Sequence, residues 1–197
     1  MTMRTLIRAL APLGACLALA ACATVTSTPA GALKVGAGYE VALGREWSDI
    51  SNIMTGRTAK VRLLSIDGPL LNRLYVTDGL APGEYLIKPA RKETPTPVIR
   101  QDMSASERLE FITDSVVALD YQRVQLVRPR PAKFGQGNGV RFDLTAQTKA
   151  GLEVKGTGVI SEQAGKTYVL LYLAPAEHYY DATLAEVEAI IGSAKLG

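Results

Sequence analysis

The 197-residue chain is poor in the side chains that carry most metal and redox chemistry: it has two cysteines and one histidine. Both cysteines, Cys16 and Cys22, lie near the N-terminus, which excludes a disulfide within the rest of the chain. Beyond that N-terminal region a zinc site built from nitrogen and sulfur ligands has only His178 to draw on, and a Ser-His-Asp triad would have to use the same residue. Long apolar runs are also missing. The run Ala9 to Ala21 stops at 13 residues, short of the roughly 20 that a membrane-spanning helix needs, and nothing comparable follows. An excess of one charge is missing too. Twenty-two basic residues stand against 19 acidic ones, and this near balance argues against nucleic acid as a partner.

What is present at the start is an address. Met1 to Arg8 carries Arg4 and Arg8 and no acid, the apolar run follows, and it ends in Leu19-Ala20-Ala21-Cys22. A basic start, a short apolar stretch and small residues form a secretory signal. The ending resembles the lipobox of bacterial lipoproteins. That resemblance implies a signal peptide over 1–21, diacylglyceryl and acyl chains on Cys22, and a protein held on a membrane by lipid. A second match, Leu13-Gly14-Ala15-Cys16, leaves only Ala9 to Pro12 as apolar run. Ala23 after the lipidated cysteine implies the periplasmic face of the outer membrane, the inner membrane being the alternative. Loss of Arg4 and Arg8 leaves 20 basic against 19 acidic side chains.

Residues 22–37, rich in Thr, Ala, Gly and Ser with Pro29, read as a flexible tether, and 38–197 as one domain. The domain opens with alternation at Tyr39, Val41 and Leu43. Strands are expected over Lys60 to Ile66 and Leu71 to Thr77, joined by the turn Asp67-Gly68-Pro69, and over Glu84 to Lys88. Ser104-Ala105-Ser106-Glu107 fits a capping box, and Leu109, Ile112, Val116 and Leu119 recur at helical spacing behind it. Four strands follow: about Gln122 to Val127, Val140 to Gln147, Leu152 to Ser161 and Thr167 to Leu173. Their short glycine-containing connections predict an antiparallel meander. The last strand is apolar on both faces and should lie centrally. Thr183-Leu184-Ala185-Glu186 reads as a second capping box, opening a closing helix. The fold class is α+β, a mostly antiparallel sheet flanked by helices.

This order of elements resembles the Mog1/PsbP-like α/β/α sandwich superfamily. The likeness rests on Tyr39 to Trp47 as opening strand and tryptophan, on the helix Ser104 to Leu119, and on Gly165 to Tyr172 with Ala174-Pro175 before a final helix. It implies an adaptor or assembly factor with no shared active site. No cofactor is expected. The implied partner is an envelope protein or glycan, besides the membrane itself.

Candidate chemistry is sparse. His178 lies in the polar segment Ala176 to Asp181 and reads as a surface loop residue; a hydrolase would have to be built around it. Asp49, Ser51, Asp67, Asp78, Glu84 and Asp102 read as turn or surface groups, since nothing fixes two carboxylates at a working distance. Gly135-Gln136-Gly137-Asn138-Gly139 has the glycines of a phosphate loop but leads into a strand, so it reads as a hairpin connection. Arg128, Arg130 and Lys133, among Pro129, Pro131 and Phe134, read as a stiff loop that could touch an anionic lipid or glycan. Trp47 and the tyrosines on strands are assigned to the core. Tyr179 and Tyr180, beside a helix start, join the three basic residues as the candidate contact surface. A tether to cell wall is the remaining alternative to a binding module or a hydrolase.

Overall fold

The computed structural model describes residues 25–54, 59–89 and 91–196, the side chain of Leu196 excepted; the signal segment and Cys22 lie outside them. Eleven strands and two helices are described: β1 Thr26–Thr28, β2 Gly31–Lys34, β3 Tyr39–Leu43, β4 Trp47–Asp49, β5 Val61–Ser65, β6 Arg73–Thr77, α1 Ala105–Val117, β7 Gln122–Phe134, β8 Gly137–Gln147, β9 Glu153–Gln163, β10 Lys166–Pro175, α2 Tyr179–Gly192 and β11 Lys195–Leu196. Eight strands form one sheet in the order β1-β4-β5-β6-β10-β9-β8-β7, and three form a small sheet, β11-β3-β2. Every pairing is antiparallel.

The expected meander is present as β7 to β10. β10 lies between β6 and β9 and is buried on both faces, as its unbroken Val169-Leu170-Leu171-Tyr172-Leu173 run requires. Its alternate residues serve two cores. Val169, Leu171 and Leu173 join Phe142, Leu144, Phe111, Ile112 and Val116 under α1. Leu170, Tyr172 and Ala174 join Trp47, Val41, Val187 and Ile190 under α2 and the small sheet. The result is an α/β/α sandwich.

α1 starts as its sequence dictates. Ser104 caps it, the Glu107 N–H donating to the Ser104 hydroxyl at 3.2 Å while the Ser104 N–H donates to the Glu107 carboxylate at 2.8 Å. The turn between β5 and β6 is organised by Asn72, 1 % exposed. Its Oδ1 accepts from the Ser65 hydroxyl and the Ile66 N–H, both at 2.8 Å, and its Nδ2 donates to Asp67 at 2.6 Å.

Four expectations are corrected. Residues 26–34, read as part of a tether, form β1 and β2; β1 pairs with β4 and β2 with β3, so backbone pairing uses a segment with little apolar content. Arg128 to Lys133 is no loop but the second half of β7, whose charged and proline residues suit a sheet edge. Glu84 to Lys88 forms no strand. The closing helix begins at Tyr179, four residues before Thr183, which is buried inside it rather than capping it. The second capping box is therefore absent: burial of Tyr180 and Thr183 against the sheet outweighs the capping signal.

Candidate ligand groove

β7 is much longer than its apolar pattern because it is an edge strand exposed along most of its length. Twice it carries two residues opposite one of β8. Arg123 and Val124 face Ala146, and Arg128 and Pro129 face Phe142. In each bulge the first residue is an arginine in the left-handed region, with φ of 50° at Arg123 and 52° at Arg128. Such a position ordinarily belongs to glycine.

The second bulge borders a groove of about 580 Å³ between β7, β8, β9 and α2. Its basic wall is Arg128 and Arg130. Its opposite wall is Asp181, Leu184 and Glu188 of α2, with Tyr180 and Lys155 between them. Asp143 organises the basic wall. Its Oδ2 lies 3.3 Å from Arg128 Nε and 3.2 Å from Arg130 Nη1, while its Oδ1 accepts from the Thr157 hydroxyl at 2.8 Å. The Asp143 side chain is only 16 % exposed, whereas Arg128 is 77 % and Arg130 45 % exposed. Arg130 Nη1 also donates to the Arg128 carbonyl at 2.9 Å.

Arg141 is buried next to this cluster. It donates to Thr157 at 3.0 Å and to Glu188 at 2.5 Å, which ties the sheet to α2. Burial lowers its pKa, with Glu188 opposing that shift. The Tyr180 ring stacks on Tyr172 at 5.8 Å, with the Lys155 ammonium 5.5 Å from its centroid. Burial, and then the charge of Asp143, raises the Tyr180 phenol above its ordinary pKa, so at neutral pH it is a neutral donor.

Three of the five residues proposed as a contact surface, Arg128, Arg130 and Tyr180, thus line one groove. Tyr180 does so while largely buried. The other two stand apart: Lys133 donates to Asn138 at 2.7 Å near the β7–β8 turn, and Tyr179 is half-buried against the core with its carbonyl held by the Tyr172 hydroxyl. Sequence reading missed Asp143, Lys155 and Glu188. The signal for Asp143 was present in the polar set Arg141, Asp143, Thr145 on one face of β8, which the fold places beneath α2 beside the groove.

The remaining candidates resolve as local structure. Gly135-Gln136 is the β7–β8 turn, with Gly135 at φ 57°. Asp49 pairs with Arg62 at 2.6 Å, Glu84 pairs with Lys60 at 2.9 Å, and the Ser51 hydroxyl accepts from the Leu63 N–H. His178 is exposed at the start of α2, its ring edge-on to Tyr179 at 5.0 Å. Among the described residues no cluster of three or more His, Cys, Asp or Glu could hold a metal ion, and no helix is long and apolar enough to cross a membrane.

No family model matches the chain, and no curated protein matches its sequence. Solved structures do match. The solution structure of cyanobacterial PsbP (CyanoP) from Synechocystis sp. PCC 6803 aligns over 95 % of this chain and 100 % of its own, with a TM-score of 0.54 at 13 % identity. The crystal structure of the Saccharomyces cerevisiae Ran-binding protein Mog1p aligns over 88 % of this chain and 95 % of its own, with a TM-score of 0.52 at 8 % identity. The fold is therefore Mog1/PsbP-like.

Proposed function

We propose that this chain is a lipid-anchored, non-enzymatic binding module of the bacterial cell envelope, and that the groove between β7 and α2 is its binding surface. The observation that carries the reading is the convergence of Arg128, Arg130 and Tyr180 on that one groove, with Asp143 holding the two guanidiniums in place. A groove of this volume is within the range of small-ligand sites. The Mog1/PsbP-like fold supports a binding role, since one structure that shares it is a Ran-binding protein. The lipobox at Cys22 supports the anchor. The membrane is the outer one, with the domain facing the periplasm.

Two measurements test the reading. Labelled palmitate should enter the wild type and not Cys22→Ser, and the wild type should sediment with outer membranes. A photo-crosslinking residue at Asp181, exposed in the groove wall, should capture a defined envelope component in living cells. One at Lys133, outside the groove, should not. Absent labelling removes the anchor, and equal capture from both positions removes the groove.

A further inference from the structure

We infer that the groove binds a small amphiphilic oxyanion, a phosphate or carboxylate whose apolar body lies along Tyr180, Val127 and Leu184. This deepens the groove reading above and rests on it.

The argument is one of unequal charges. Two guanidiniums, Arg128 and Arg130, share a single carboxylate oxygen, Asp143 Oδ2. The other oxygen already accepts from Thr157. Asp143 therefore fixes the pair without neutralising it, and one positive charge is left over at the groove wall. Glu188 does not supply the missing anion, because Arg141 holds it at 2.5 Å. With Lys155 and Arg141, four cations stand at the groove against the three carboxylates Asp143, Asp181 and Glu188.

Each guanidinium has five N–H donors. Arg128 Nε is ion-paired with Asp143 Oδ2 at 3.3 Å, and Arg130 Nη1 donates to Asp143 and to the Arg128 carbonyl. The remaining edges are those that bind planar carboxylate or tetrahedral phosphate in paired bonds. Backbone geometry adds an independent observation. Arg128 occupies the left-handed position of a bulge, where a glycine would be unstrained, so the arginine is held there against local preference. Next to the charge pair, Tyr180, Val127 and Leu184 provide apolar area, which a bare inorganic ion would not use.

Calorimetric titration of the membrane-extracted protein in non-ionic detergent tests this with four probes: phenyl phosphate, benzoate, dihexanoyl phosphatidylglycerol and neutral phenol. At least one anionic probe should bind tenfold or more tightly than phenol. Arg128→Gln and Arg130→Gln should each weaken that probe by about tenfold, as loss of a charged hydrogen bond does. Both residues are exposed enough for these variants to fold, which circular dichroism of each variant is to check. A preference for phenyl phosphate or for benzoate selects the head group. Tighter binding of the phospholipid assigns it to a lipid, and weaker binding to a soluble ester or acid. Equal affinity for phenol, absence of binding by every probe, or an affinity unmoved by both substitutions overturns the inference. If capture from Asp181 in cells persists in that case, the groove remains a binding surface and only the oxyanion falls.

Discussion

Arg123 and Arg128 occupy equivalent positions in two successive bulges of β7, both in the left-handed backbone region and each opposite a single residue of β8. Only Arg128 borders the groove. Glycine adopts this conformation without the Cβ clash, so Arg123→Gly and Arg128→Gly should each stabilise the fold by about 0.5–1 kcal/mol, or a few degrees in Tm. Calorimetry of unfolding checks this. Ligand affinity should fall in Arg128→Gly and stay unchanged in Arg123→Gly. A loss in both would mean that the bulges serve only to shape the strand.

The Tyr179 N–H donates to the Glu177 carbonyl at 2.8 Å, closing a three-residue turn around His178, whose φ of 66° and ψ of −58° are those of the strained γ-turn. His178→Gly should raise Tm by about 2–4 °C, since about 1 kcal/mol of strain is relieved. Crosslinking from Asp181 should be retained. A hydrolase built on the imidazole would instead lose all activity in this variant while gaining stability.

Glu107 sets an acid limit on α1. The Ser104 backbone N–H, the Ser104 side chain and Arg100 together lower its pKa from 4.5 to about 2. The folded value lies below the unfolded one, so the contribution is complete above about pH 4.5. It is lost as pH falls from there toward 2. Glu107→Gln should flatten the Tm profile across that window and leave it unchanged in shape above pH 5. Carboxyl NMR titration should place the Glu107 midpoint near 2.

Asn72 is a buried organiser. Asn72→Ala would remove its bonds to Ser65, Ile66 and Asp67 and leave the Ser65 hydroxyl and Ile66 N–H short of a partner. The expected cost is about 2–3 kcal/mol in denaturant unfolding, with the slope unchanged. Asn72→Asp keeps the acceptor but sets a carboxylate against Asp67, and should recover only part of the loss.

The strands that could be read from sequence are those with two or more apolar residues facing a core. β5, β6, β8, β9 and β10 all have that signature, and Ser104 with Glu107 announces α1. What escaped reading has a common physical cause. β1 and β2 are held by backbone pairing, to β4 and β3, in a segment composed like a tether. The outer half of β7 buries little but Phe134, so no alternation marks it. α2 starts where Tyr180 and Thr183 find the sheet, a tertiary effect that outweighs the local box at Thr183. The groove was half legible. Arg128 and Arg130 stand out by charge, but their carboxylate, Asp143, comes from a different strand, and only the bulged register brings the three together.

The strand order has a mechanical corollary. β1 begins at Thr26, so only about 14 Å of extended chain could separate it from a lipid on Cys22. β1 and β7 are opposite margins of an eight-strand sheet, and seven strand spacings amount to roughly 33 Å. Were Cys22 lipidated as proposed, the sheet would act as an outrigger, moored near one rim and holding the other away from the membrane by its hydrogen-bonded breadth.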